Sequence, residues 1–179
     1  MEIVKYGDDR YQVFVDAYRL ASTISLRSAC LKNHSGAIVF EMRDGRPHTL
    51  GTGYNAPTAR AKCCMRADIH GGRNVELCTA VHAEQMAVLN AARTLEAIGP
   101  PVAPTYLVYA KFKPQGAGYR PARLDPENVS CTICSRLLSW YGISFVCPVE
   151  AGFAIMDAQE YNLKSLQNCA FLQGRGHRE

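Results

Sequence analysis

Between residues 10 and 23 the apolar side chains fall at Val13, Phe14, Ala17, Leu20 and Ala21. That is the three-and-four spacing of one helical face, so an amphipathic helix is predicted there. The period then changes. Residues 36–42 and 49–54 read as strands on either side of Asp44-Gly45-Arg46-Pro47, a group of turn formers, and together they predict a hairpin. Residues 83–97 are rich in Ala, Leu, Met and Gln and read as a second helix. Residues 106–110 form a β-rich apolar run, 135–141 a helix, and 143–147 and 152–156 two more strands. These five strands with helices between them predict an α/β fold: three α/β/α layers with a central mixed five-stranded sheet covered on both faces. No internal repeat is present.

Two connections are longer than a compact domain usually needs. Residues 112–128 carry Pro114, Gly116, Gly118, Pro121 and Pro126 and are read as a lid-like insertion or an oligomer contact; Lys111, Lys113, Arg120 and Arg123 around it could meet a phosphate. Residues 56–79 hold Cys63, Cys64, His70 and Cys78. The 179 residues, 47% of them apolar, suit a single domain over 1–179, ending in a flexible tail at about 170–179. The net charge of +4 comes without a basic run apart from that tail, which argues against extended nucleic acid and suits a small anionic substrate. Eight Cys without a secretory leader point to the cytoplasm and to metal binding or buried thiols, and no stretch approaches the ~20 apolar residues of a membrane span.

The chemistry concentrates in His82-Ala83-Glu84 and Ser130-Cys131-Thr132-Ile133-Cys134, each opening a predicted helix. One imidazole and two thiolates hold Zn²⁺ with three protein ligands, the number that leaves a catalytic position open. Two thiolates cancel the formal charge of the ion, so a water there is acidified less than by three neutral imidazoles, and a carboxylate base becomes useful. Glu84 fits that role. A C-x-x-C pair at a helix start puts both sulfurs on one face, where the helix N-terminus favours thiolates. Cys147, in a predicted strand, and Cys169 read as core or surface packing.

With these motifs the chain resembles the cytidine and deoxycytidylate deaminase superfamily, most of all the deoxycytidylate (dCMP) deaminases. The resemblance runs over residues 9–167: Ser28-Ala29-Cys30 before Gly36-Ala37-Ile38-Val39, Gly53-Tyr54-Asn55-Ala56-Pro57, Glu76-Leu77-Cys78, His82-Ala83-Glu84-Gln85, Cys131-Thr132-Ile133-Cys134-Ser135-Arg136 and Tyr161-Asn162. It implies a cytidine deaminase-like fold, zinc on His82, Cys131 and Cys134, and Glu84 moving protons in hydrolytic deamination, most simply of dCMP to dUMP with release of ammonia. It further implies Asn55 against the nucleotide sugar, although residue preference alone would equally make Asn55 a turn former. Ala83 would let a base lie close to the metal, Arg60 and Lys62 would be phosphate partners, and a homo-oligomer is expected. A second, structural zinc would draw on Cys30 with Cys63 or Cys64, completed by His70, His34 or Cys78.

Three departures bear on substrate identity. Ser130 stands where the family has Pro, Met86 where many dCMP deaminases have Asn, and the loop after Tyr54 has lost a Gly and displaced its Arg to Arg60. A nucleoside, a modified base or a biosynthetic heterocycle therefore stays open as substrate. A zinc-stabilised binding module would leave Glu84 without a task, and tRNA editing would call for a broader basic surface.

Overall fold

In the computed structural model, which describes residues 1–57, 78–116, 118–122, 124–128 and 131–168, the hairpin builds outward into one mixed sheet. The elements run β1 (Glu2–Val4), α1 (Tyr11–Ser25), β2 (His34–Arg43), β3 (Arg46–Tyr54), β4 (Ala56–Pro57), β5 (Ala80–Val81), α2 (Ala83–Ile98), β6 (Thr105–Gln115), β7 (Gly118–Pro121), α3 (Thr132–Tyr141), β8 (Ser144–Val149), β9 (Gly152–Met156) and α4 (Ala158–Gln167). The main sheet has the order β1-β9-β8-β6-β2-β3, with β7 paired to the far end of β6. Its one parallel pair among the described strands is β6 with β8, joined through α3; the other pairs are antiparallel. β4 and β5 form a separate two-stranded ladder.

The sheet thus has seven strands where the hydrophobic pattern predicts five. β1 is three residues long, too short to show a period, and it forms because β9 would otherwise end the sheet with an unpaired edge. β7 is exposed along its length and continues β6 as a hairpin, so no apolar alternation marks it. The predicted insertion at 112–128 accordingly divides: 112–115 belong to β6, 118–121 to β7, and Pro126–Asn128 make one 3₁₀ turn. The β2–β3 turn is tighter than the four residues read for it. Asp44 (φ 50°) and Gly45 (φ 72°) both take the left-handed region, as a two-residue hairpin loop with matching twist requires, and Arg43 pairs directly with Arg46. Pro47 then sits inside β3, tolerated because β3 is an edge strand.

Alternation along the strands sorts the core into two faces. Ile38, Phe40, Val108, Val146, Phe153 and Ile155 pack on Phe14 and Ala21 of α1. Ala37, Val39, Leu107, Phe145, Cys147, Ala154 and Met156 meet Ala83, Ala87, Val88 and Ala91 of α2, Leu138 of α3 and Tyr161 of α4. The three helices that border the chemistry therefore share one face. No helix among the described residues is long and apolar enough to cross a membrane.

α2 lies unusually close to β3. A Cβ at Gly53 would come within 2.3 Å of the Ala83 carbonyl oxygen and 2.4 Å of the Ala87 nitrogen; one at Gly51 would meet the Ala87 oxygen at 2.3 Å and the Ala91 nitrogen at 2.4 Å. Glycine at both positions is what lets the backbones approach. Asn90 then bridges them, its Nδ2 donating to the Thr52 carbonyl at 2.8 Å. This contact fixes where the first turn of α2 sits.

Candidate metal centre

Two helix starts face each other beside the β6–β8 pair. His82 is the N-cap of α2, with extended backbone (φ −73°, ψ 154°), and its N–H donates to Oε1 of Gln85 at 2.9 Å. Gln at the third helical position is the capping-box partner, whereas His is not a favoured cap residue. The reason for His lies in its ring. Cys131 caps α3, and its sulfur accepts from the Cys134 N–H at 3.4 Å, so the C-x-x-C spacing folds both sulfurs back over the first turn.

His82 Nδ1 lies 3.3 Å from each of the Cys131 and Cys134 sulfurs, and the sulfurs are 2.8 Å apart. That separation is well beyond the ~2.05 Å of a disulfide, so the pair is two hydrogen-bonded sulfurs. The three donor atoms lie within 4.8 Å of one another, and among the described residues no other His, Cys, Asp and Glu side chains form such a group. The fit to zinc is good. Tetrahedral zinc with ordinary Zn–S and Zn–N lengths would want donor separations of roughly 3.5–3.8 Å, so the triangle needs to open by about 1 Å at most.

Proton distribution points the same way. The Cys131 thiol is held well below its ordinary value, first by the hydrogen bond from Cys134 and then by His82. The Cys134 thiol is pushed up by the same Cys131 contact and by burial. His82 rises to about 9, chiefly through its hydrogen bond with Cys131, with the charge of Glu84 and a hydrogen bond with Cys78 adding to this against burial. Two protons thus sit among three electron-rich atoms, the arrangement a cation would replace.

Glu84, in the first turn of α2, is 5% exposed. Burial pushes its carboxyl up to about 7, the negative Cys131 sulfur adds to this, and His82 and Lys111 pull the other way. The half-buried Tyr109 of β6 and the buried Tyr161 of α4 lie around it, both phenols pushed up by burial first and by the charge of Glu84 second. Tyr161 stacks on Phe145 at 4.3 Å between centroids, and the Tyr109 hydroxyl is 2.9 Å from Ser35 Oγ. Ser135 of α3 reaches Asn162 Oδ1 at 3.1 Å and Ser165, tying α3 to α4 behind the sulfurs. Tyr109 escapes sequence reasoning because it is one apolar position among five in its strand; Lys111, two residues on, is legible in the sequence as a cation that could meet a phosphate, not as a neighbour of Glu84.

Of the residues predicted to meet substrate, Ala83 is fully buried at the head of α2. The Asn55 amide is engaged at both ends: Oδ1 accepts from the Ser35 N–H at 2.7 Å and Nδ2 donates to the Asn33 carbonyl at 2.9 Å, pinning the entry of β2 to the end of β3. Met86 is half-buried. Arg60 and Lys62 lie outside the described residues, as do Cys63, Cys64, His70, Arg123, Ser130, Cys169 and the tail at 170–179. For the second zinc this leaves Cys30, His34 and Cys78 described: Cys30 and Cys78 are half-buried and in no disulfide, and the His34 ring stacks on Tyr119 at 3.9 Å. Cys147 is buried in β8, its thiol pushed up to about 12 by burial, as its packing role requires.

No family model matches the chain, and no curated protein matches it either. Solved structures do. The apo dCMP deaminase of the cyanophage S-TIM5 is 16% identical, with 78% of this chain and 86% of that one covered and a TM-score of 0.44. The cytidine deaminase of Burkholderia pseudomallei is 13% identical, with 82% of this chain and 94% of that one covered and a TM-score of 0.46. The chemistry of the centre rests on its own side chains.

Proposed function

We propose that the protein is a zinc-dependent hydrolase that deaminates a cytosine nucleotide, most simply dCMP to dUMP with release of ammonia. The observation that carries this reading is a buried carboxyl, Glu84, two residues after His82 in the first turn of α2, in a site where the His82, Cys131 and Cys134 donor atoms lie within 4.8 Å of one another. When bound there, zinc supplies Lewis acidity that makes a water easier to deprotonate. Glu84 does the rest of the proton work. With its carboxyl near 7, it can accept a proton from the attacking water and pass protons to the ring nitrogen and the departing amine at neutral pH.

The fully buried Ala83 and the Phe145–Tyr161 stack border the acid and keep the dielectric low around it. Asn55 and Arg60 are proposed for the sugar and phosphate, and a cytoplasmic homo-oligomer completes the reading. The test is ammonia release from a panel of cytosine, adenine and guanine bases, nucleosides and nucleotides by zinc-loaded protein, with Glu84→Gln as comparison. Expected is turnover of a cytosine nucleotide, reduced at least ~100-fold in Glu84→Gln while zinc content holds. Full activity in Glu84→Gln, or no release from any compound, overturns the proposal; release from another class of ring moves the substrate and keeps the reaction.

A further inference from the structure

Register places every second residue of β6 on the face of the metal centre. Leu107 and Tyr109 pack with the core under α2, α3 and α4, whereas Val108, Ala110 and Phe112 pack with the core under α1. Lys111 and Lys113 continue the first series. Arg120 of β7 pairs directly with Lys113, and cross-strand partners share a face, so three cations line one side of the β6–β7 hairpin. On the other side Tyr119 stacks on His34, fastening the hairpin to β2.

The same register locates the cations along the sheet. Gly51, Val39 and Leu107 form one row across it, and Gly53, Ala37 and Tyr109 the next on that face. α2 rests on both rows, Ala87 and Ala91 against Gly51 and Ala83 against Gly53. Ser35 and Lys111 form the following row, beyond the one that Ala83 covers. Lys113 and Arg120 lie about 7 Å further out, past the helix start that carries His82 and Glu84. Both are exposed, and like charges directly opposite each other across a ladder destabilise it. No Asp or Glu occurs from residue 97 to 124 to offset them. An anion seated between them turns repulsion into attraction, and the acceptor oxygens of a phosphate suit a Lys beside an Arg.

We propose that Lys113 and Arg120, with Lys111 one row nearer the metal centre, hold the phosphate of the substrate and so make the protein select a nucleotide over the corresponding nucleoside or free base. This rests on the deamination reading above and assigns the specificity of that site to the β6–β7 hairpin.

The experiment measures ammonia release from dCMP and from deoxycytidine by the zinc-loaded full chain in three forms. These are wild type, the double variant Lys113→Gln with Arg120→Gln, and a control, Arg46→Gln with Arg93→Gln, that removes the same charge from two exposed positions elsewhere. Wild type is expected to favour dCMP in kcat/KM. The hairpin variant should lose at least about tenfold of that preference, chiefly through KM, and the control should keep it. Inorganic phosphate should raise the Tm of wild type and control more than that of the hairpin variant. An unchanged preference in the hairpin variant overturns the proposal, and so does a wild type that favours deoxycytidine. An equal loss in the control overturns it too, by making the effect one of net charge. Failure of wild type to release ammonia from either compound is a different result, which removes the deamination of cytosine compounds itself. The phosphate titration then decides the hairpin alone, and equal Tm shifts in all three proteins overturn its role.

Discussion

Gly53→Ala tests how the sheet places the metal centre. The added Cβ would sit 2.3 Å from the Ala83 oxygen and 2.4 Å from the Ala87 nitrogen, both backbone atoms with no rotamer to swing aside. Ordinary contact begins near 3.4 Å, so helix and strand must part by about 1 Å, an overpacking cost of about 1–3 kcal/mol. Gly51→Ala is the matched control: its contacts, at 2.3 and 2.4 Å, are equally short but fall on Ala87 and Ala91, one turn further along α2. Both variants should lose similar stability in a urea titration. Only Gly53→Ala moves the Ala83 carbonyl, which lies between His82 and Glu84, and a displacement near 1 Å at a reacting centre can cost ~100-fold in rate. Gly53→Ala should therefore lose zinc affinity and turnover well beyond Gly51→Ala. Two results would refute this: a Gly53→Ala protein as stable as wild type, or two variants with identical loss of metal affinity.

Zinc binding at pH 7 should release about two protons, because His82, raised to about 9, and the Cys134 thiol, pushed well up, are both protonated before the metal arrives while Cys131 is already a thiolate. Apparent affinity should then rise with pH and rise less steeply once pH passes 9; calorimetry in buffers of different ionisation enthalpy gives the count, and release of less than one proton would contradict it. Asn55→Ala strands the buried Ser35 N–H and the Asn33 carbonyl and should lose about 1–3 kcal/mol by chemical denaturation, an unchanged midpoint meaning that the amide is not an anchor. Tyr161→Leu removes the stack on Phe145 and should cost roughly 0.5–1.5 kcal/mol beyond the lost area, checked by a double-mutant cycle with Phe145→Leu; additive losses would deny the stack any energy of its own.

What the chain declares locally is largely what the fold contains. Helical spacing at Val13, Phe14, Ala17, Leu20 and Ala21 became α1, and the run ending at Met156 became β9 with the bounds its pattern implies. His82, Glu84, Cys131 and Cys134 were readable because ligand chemistry permits few residue types and helix starts impose the H-x-E and C-x-x-C spacings. Three-dimensional packing decided the rest. β1 and β7 exist because neighbouring strands offered unpaired N–H and C=O groups, a force with no signature in three or four residues. Gly51 and Gly53 look like ordinary strand glycines until α2 is seen resting on them. Asn55 was legible as either a turn former or a sugar contact, and only the folded chain shows its amide spanning Asn33 and Ser35. Tyr109 and Tyr161 come to the centre from separate elements, because proximity across a sheet face depends on register and crossover, which no local spacing records.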